Sequence, residues 1–194
     1  MKRIGFAFLA VLLAGAAAAQ SPARVRGIIT EVSGDVLSIK SRDGKDLKIR
    51  LAPDARIGTA KKITLAEIKQ GTYVGVTASK NADGQMVAVE VHTIPPTAPG
   101  GHFPWDLMPG STMTNANLNA VVSATGGNEI TLDYKDGSQK ILVPPSATIA
   151  TSEPADRSAL KAGEYIFAVG RMDNDGTIVT GGVTVSKDGF RPPQ

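Results

Sequence analysis

Alternation of apolar and polar positions dominates the chain. Leu47, Ile49 and Leu51 flank Lys48 and Arg50, and Val87, Val89 and Val91 flank Ala88, Glu90 and His92. A period of two is the mark of a strand with one buried face. Asp-Gly pairs at 43–44, 83–84, 136–137 and 175–176 stand between such runs, where tight hairpins need positive φ. Two segments break the pattern. Thr64-Leu-Ala-Glu-Ile-Lys-Gln-Gly71 sets a capping hydroxyl before a helical turn, places Glu67 in capping-box position and stops at glycine. Asp156-Arg-Ser-Ala-Leu-Lys-Ala-Gly163 repeats the design with a carboxylate cap. Each predicts a short helix.

The order of elements recurs. Val25-Arg-Gly-Ile-Ile-Thr30 aligns with Leu118-Asn-Ala-Val-Val-Ser123, Val36-Leu-Ser-Ile39 with Glu129-Ile-Thr-Leu132, and Asp43-Gly44 with Asp136-Gly137, at an offset of 93. One residue is lost in the loop that follows. At an offset of 92, Pro53 then meets Pro145, Ile57 meets Ile149, Lys69-Gln-Gly-Thr-Tyr73 meets Lys161-Ala-Gly-Glu-Tyr165, and Asp83-Gly84 meets Asp175-Gly176. So many matches in register point to an internal duplication. Each copy reads as three strands, a short helix and two long strands. The expected fold is all-β: two tandem small OB-like β-barrels, each with one short helix, with an SH3-like barrel as the alternative. The expected boundaries are a signal peptide at 1–19, repeat one at 24–94, a joining segment at 95–117, repeat two at 118–187 and a tail at 188–194.

Gly27-Ile-Ile, the Asp-Gly hairpins, Leu65 to Gly71, and Asp83-Gly84 leading into Val87-Ala88-Val89 carry a likeness. On these residues the chain resembles an uncharacterised family of exported bacterial small β-barrel domains, known as a domain of unknown function and often found in tandem. The second copy departs from the pattern at Ala120 and at Gly181-Gly182. Some similar proteins carry the label of metal-transporter permease, which a chain without a membrane span cannot be. The resemblance implies no catalytic residues, and no cofactor is expected.

Charge and composition narrow the partners. Lys2 and Arg3, the apolar run Ile4–Ala14 and the small residues to Ala19 form the three parts of a cleaved secretory signal, so a periplasmic or secreted protein is expected. The apolar run is short of the roughly 20 residues that cross a bilayer. Without that segment 19 basic residues face 18 acidic ones, which removes any general attraction to nucleic acid. The remainder is divided: residues 24–94 hold twelve Lys or Arg and eight Asp or Glu, whereas residues 118–187 hold six and eight. Absence of Cys excludes disulfides and thiol chemistry.

Three groups of side chains are candidates for function. The joining segment has five prolines between 95 and 109 and holds the only Trp. Phe103 and Trp105 there are candidate binding residues, to be weighed against simple packing between the barrels. The basic cluster Lys40, Arg42, Lys48 and Arg50, with Lys45, suits an anionic envelope polymer or an acidic partner protein. His102, Met108 and Met113 are soft or borderline ligands that would suit copper, though their spacing sets no geometry. Asp173-Asn-Asp-Gly176 opens like a calcium loop but lacks its closing Glu. The reading that follows is a non-catalytic binding or structural module of the cell envelope. Its alternatives are a soluble metal-handling accessory protein and a hydrolase of envelope polymer with an unrecognised carboxylate pair.

Overall fold

The computed structural model describes residues 22–194, and the expected signal peptide lies outside them. Twelve strands follow one another: β1 (Ala23–Ser33), β2 (Val36–Ser41), β3 (Asp46–Lys62), β4 (Tyr73–Lys80), β5 (Met86–Thr93), β6 (Gly101–Pro104), β7 (Thr112–Ala124), β8 (Gly127–Tyr134), β9 (Gly137–Val143), β10 (Thr148–Ala155), β11 (Tyr165–Met172) and β12 (Ile178–Val185). The chain is all-β, as the alternation predicts. Gly44, Gly84 and Gly176 take φ near +80° in three of the four Asp-Gly turns.

The two expected helices are corrections. Leu65–Glu67 and Arg157–Ala159 are single 3-10 turns. Their caps form as the sequence suggests: Thr64 N donates to Glu67 Oε2 at 2.6 Å, and Ser158 N donates to Asp156 Oδ1 at 2.8 Å. Each segment is too short to repay helix nucleation. It serves as a plug, with Leu65 and Ile68 in one core and Leu160 in the other.

Strand pairing departs further from expectation. β1 pairs with β2, β2 with β3, β3 with β12, β12 with β11, and β11 with β1. These five strands close a barrel, ring A. A second circuit, ring B, runs β7–β8–β9–β5–β4 and back to β7. Each ring therefore takes three strands from one half of the chain and a hairpin from the other. The sequence leads one to expect that each half closes on itself. The physical reason lies in β3, whose 17 residues run without a break from their pairing with β2 to their pairing with β10, about 55 Å of extended chain. Pro53, which cannot donate to a ladder, falls where the β3–β12 register shifts, between Leu51 and Arg56. At the crossing the end of β3 pairs antiparallel with β10, Ala60 opposite Ser152.

Both cores are mixed in origin. Ring A buries Val25, Ile29, Leu37, Ile39, Ile49 and Leu51 with Leu160, Ile166, Ala168, Ile178, Val183 and Val185. Ring B buries Val74, Val76, Ala78, Met86, Ala88 and Val91 with Ala116, Leu118, Ile130, Leu132, Ile141 and Val143.

The pairing also revises the alignment of the first strand. Ile29 lies opposite Ile39, and Leu118 lies opposite Leu132. In both rings a bulge follows, between Ile29 and Glu31 and between Leu118 and Ala120. β1 thus matches β7 at an offset of 89, whereas β2 matches β8 at 93. The counterpart of Gly27 is the buried Ala116, not Ala120, and β7 begins six residues before 118.

At Gly27 strands β1 and β2 approach closely. A Cβ there would lie 2.3 Å from the Lys40 carbonyl oxygen and 2.8 Å from the Ser41 Cα, contacts that no side-chain rotation relieves. Gly27→Ala is expected to cost about 2–3 kcal/mol by forcing β1 away from β2. A lower urea midpoint at unchanged slope is the signature to look for; an unaltered midpoint would show that the ring relaxes freely.

Candidate functional site

The outward faces of both rings meet in a seam, and the joining segment lies along it. β6 pairs with the start of β7, Phe103 opposite Met113. The loop that follows is tied by Ser111, whose hydroxyl donates to Trp105 O at 2.9 Å, while Trp105 N donates to Ser111 O at 2.8 Å. This holds Trp105 against ring A. The Arg24 guanidinium stacks 4.0 Å above the indole, and Phe103 meets it edge-on with centroids 6.0 Å apart.

Arg26 is the centre of this contact. Its side chain is 3% exposed, and it lies 5.5 Å from the Trp105 ring and 5.4 Å from that of Phe167. Both terminal nitrogens donate to Asp106, at 3.0 and 2.9 Å. Arg24 approaches the same carboxylate at 3.5 Å, and Arg42 donates to the Leu107 carbonyl at 3.2 Å. Partial burial pushes the Asp106 carboxyl up, but the Arg26 hydrogen bonds and the charges of Arg26 and Arg24 outweigh it and hold the group below the ordinary carboxylate range.

Removal of Asp106 would leave the buried Arg26 cation without its hydrogen-bonded counter-charge, beside the Trp105 and Phe167 rings. Asp106→Ala is expected to cost about 2–3 kcal/mol, discounted from the value for a fully buried pair because the carboxylate is half exposed. Since the group's acidity is enhanced in the fold, its contribution holds above about pH 4 and fades as pH falls further. Thermal melts at pH 7 and pH 3 check this. A wild-type advantage that persists undiminished at pH 3 would refute the charge-based explanation.

Across the seam stand Glu90 and His92 on β5 and Gly75 and Thr77 on β4. The His92 ring packs over Gly75, where an added Cβ would come within 2.9 Å of Nε2. Its Nδ1 is shut off from solvent and finds no hydrogen-bond partner among the described residues. Burial lowers the imidazole pKa to about 4. Glu90 is pushed up by burial, against the Gln194 amide and the Arg26 charge.

Beside these residues opens a groove of about 1100 Å³. Ile57, Ile94, Phe167 and Val183 give it apolar walls, while Arg56, Arg157, His92 and Thr151 are among its polar groups. It draws on both rings, on the joining segment through Pro95 and Ala98, and on Pro193. Such a concave, mostly apolar surface with a few polar groups is the usual form of a binding site.

The structure sorts the sequence-based candidates. Phe103, Trp105 and Arg42 come together at the seam, around Asp106. The rest of the basic cluster does not join them: Lys40 pairs with Asp46 at 3.0 Å, and Arg50 reaches Asp175 at 3.2 Å and Asp173 at 3.5 Å. Lys48 is exposed on β3 between Asp46 and Arg50. Of the metal candidates, the pleat places Met113 with Phe103 on one face and His102 with Thr114 on the other. His102 Nδ1 is within 2.8 Å of the Thr114 hydroxyl, and Met108 is exposed in the loop. Among the described residues no three His, Asp or Glu side chains gather as a metal would require. Arg24, Arg26, Glu90 and Asp106 join the site only through the tertiary structure. Two arginines alternating with an apolar residue at the start of a strand, and an acid beside the only Trp, are the signals that could have found them.

Residues 26–92 match the family model of a domain of unknown function, DUF5666. Neither the curated proteins nor the solved structures include a match to the chain. The DUF5666 segment opens at Arg26 and closes at His92, so it supplies both the buried cation and the imidazole of the seam. It does not complete either ring. It gives β1–β3 to ring A and β4–β5 to ring B, while Trp105, Asp106, Phe167 and Pro193 come from outside it. Among the described residues no helix is long and apolar enough to cross a membrane.

Proposed function

We propose that the protein is a non-catalytic binding module of the cell envelope, exported by its N-terminal signal, with the groove between the rings as its ligand surface. The groove itself carries this reading. Its lining is mainly apolar, its carboxylate Asp156 accepts from Ser158 N at 2.8 Å, and the carboxylates of the neighbouring seam are engaged: Asp106 with arginines and Glu90 with a backbone amide. A pair of free carboxylates, as glycoside hydrolysis needs, would have favoured an enzyme.

The architecture behind it is a pair of OB-type barrels that have exchanged their last hairpins, the product of a duplication. The order first–second–third–fifth–fourth–first, the parallel contact of third with fifth strand in each ring, and a turn between third and fourth all support that description. Lys40, Arg50 and Lys61 of β2 and β3 are taken up in surface ion pairs, which are weak, and the concave groove is preferred over the basic cluster as the binding surface.

A photo-crosslinking amino acid at Ala98 or Thr151, both in the groove, should give discrete adducts in cells. The same group at Val122, exposed far along β7, should not. Equal labelling from Val122, or none from the groove positions, would overturn the assignment.

A further inference from the structure

The seam already holds a peptide. Residues Arg191 to Gln194 run along it, outside any helix or strand. The Arg191 guanidinium stacks 3.7 Å above the Tyr165 ring, and Pro193 forms part of the groove wall. Gln194 then meets three side chains from the joining segment and ring B. Its N–H donates to Glu90 Oε2 at 2.8 Å, and its main-chain oxygen accepts from Trp105 Nε1 at 2.9 Å and from the Thr77 hydroxyl at 3.4 Å.

All three contacts are to main-chain atoms. One carboxylate acceptor and one indole donor hold the two polar groups of a single residue, whatever its side chain. That is a clamp for extended backbone. The two prolines before it suit such a site: they offer no N–H that would need a partner, and they hold the segment extended before it binds. Little chain entropy is then lost on docking.

Without the resident segment, the Glu90 carboxylate and the Trp105 indole N–H would each lose the protein partner that Gln194 supplies. The groove also extends well beyond Pro193, along Ile57, Ile94, Phe167 and Val183, so four residues do not fill it.

The geometry points to a peptide-binding groove in which residues 191–194 are a resident occupant, displaced by an extended segment of a partner protein that contains consecutive prolines. This rests on the groove being the ligand surface and adds the class of ligand.

The probe is a fluorescein-labelled octapeptide with the sequence of residues 187–194, Lys-Asp-Gly-Phe-Arg-Pro-Pro-Gln, titrated by fluorescence anisotropy. A chain ending at Phe190 should bind it about tenfold or more tightly than the full chain, because a tethered occupant competes at high effective concentration. Trp105→Phe in the shortened chain should weaken binding about fivefold, the loss of one partly buried hydrogen bond. Replacement of both peptide prolines by alanine should weaken it further. Should the shortened chain fail to fold, full-length Arg191→Ser serves instead. It loosens the resident segment, leaves the clamp intact, and should bind the octapeptide more tightly than the wild type.

Absence of binding by both the shortened chain and Arg191→Ser would overturn the proposal. So would binding indifferent to Trp105→Phe, or displacement of the resident segment, followed by Trp105 emission, by an anionic glycan and not by the octapeptide. If crosslinks from Ala98 persist in that event, the groove stands as the ligand surface and only the peptide is excluded. If they too are missing, both readings fail.

Discussion

Cut at a protease site inserted between Pro96 and Thr97, the chain is expected to remain one particle. Both residues are exposed between β5 and β6, so cleavage should be rapid and harmless to the rings. The fragments would still share the β1–β11, β3–β12, β4–β7 and β5–β10 pairings, together with the crossing of β3 and β10. To separate them, each ring would have to give up one of its hairpins. Ring A alone would expose Ile166, Ile178, Val183 and Val185, at roughly 1.5–3 kcal/mol for each large side chain uncovered. Size-exclusion chromatography after cleavage should show a single peak at the elution volume of the uncut chain, resolving into two only in denaturant. Two native peaks would mean that each half closes its own barrel, and the exchange would be wrong.

Between pH 7 and pH 5 the protein is expected to lose about 2 kcal/mol of stability through His92 alone. The imidazole is held at a pKa of about 4 by burial, against about 6.5 in an unfolded chain. The unfolded state therefore takes up a proton as pH falls through 6.5, while the folded state resists until about 4. Stability is full above that window, declines across it and levels off below it.

Glu90, also on β5 and facing the seam, works in the opposite direction. Its raised pKa means that acidification relieves a buried charge, which offsets part of the loss at the low end. Asp106 acts only below the ordinary carboxylate range. The variant to compare is His92→Thr. Thr184 pairs with Phe167 as His92 pairs with Gly75, so the other ring shows that threonine fits the strand. The variant should be flat, or slightly more stable, toward pH 5, whereas the wild type should melt roughly 4–8 °C lower than at pH 7. Parallel pH profiles for the two proteins would eliminate His92 as the cause.

Much of the local structure was legible in the residues. Alternation at Leu47–Leu51 and Val87–Val91 marked strands that are present, and Thr64 with Glu67 marked a cap whose hydrogen bonds form. The first strand of the second half lies four residues earlier than the alignment of Val25–Thr30 with Leu118–Ser123 implies, because alternation of period two survives any even shift. Only the bulges after Ile29 and Leu118, visible in the pairing, set the true register. Of the site, Phe103, Trp105 and Arg42 could be named from composition. Arg26 and Glu90 could not, since charged residues in alternating strands ordinarily face water, and here two such faces are turned toward each other.

Strands, turns, caps and the apolar face of each element follow from the sequence alone, because each depends on neighbours a few residues away. Which hairpin completes which ring does not. The two hairpins present equivalent faces, so exchange preserves the kinds of contact that self-closure would make, and the periodic pattern cannot distinguish them. The tertiary structure decides it through one extended strand, β3, that carries the chain past its own ring. That same crossing presses the two outward faces together, and it turns scattered polar residues into the seam where Arg26, Trp105, Glu90 and His92 meet.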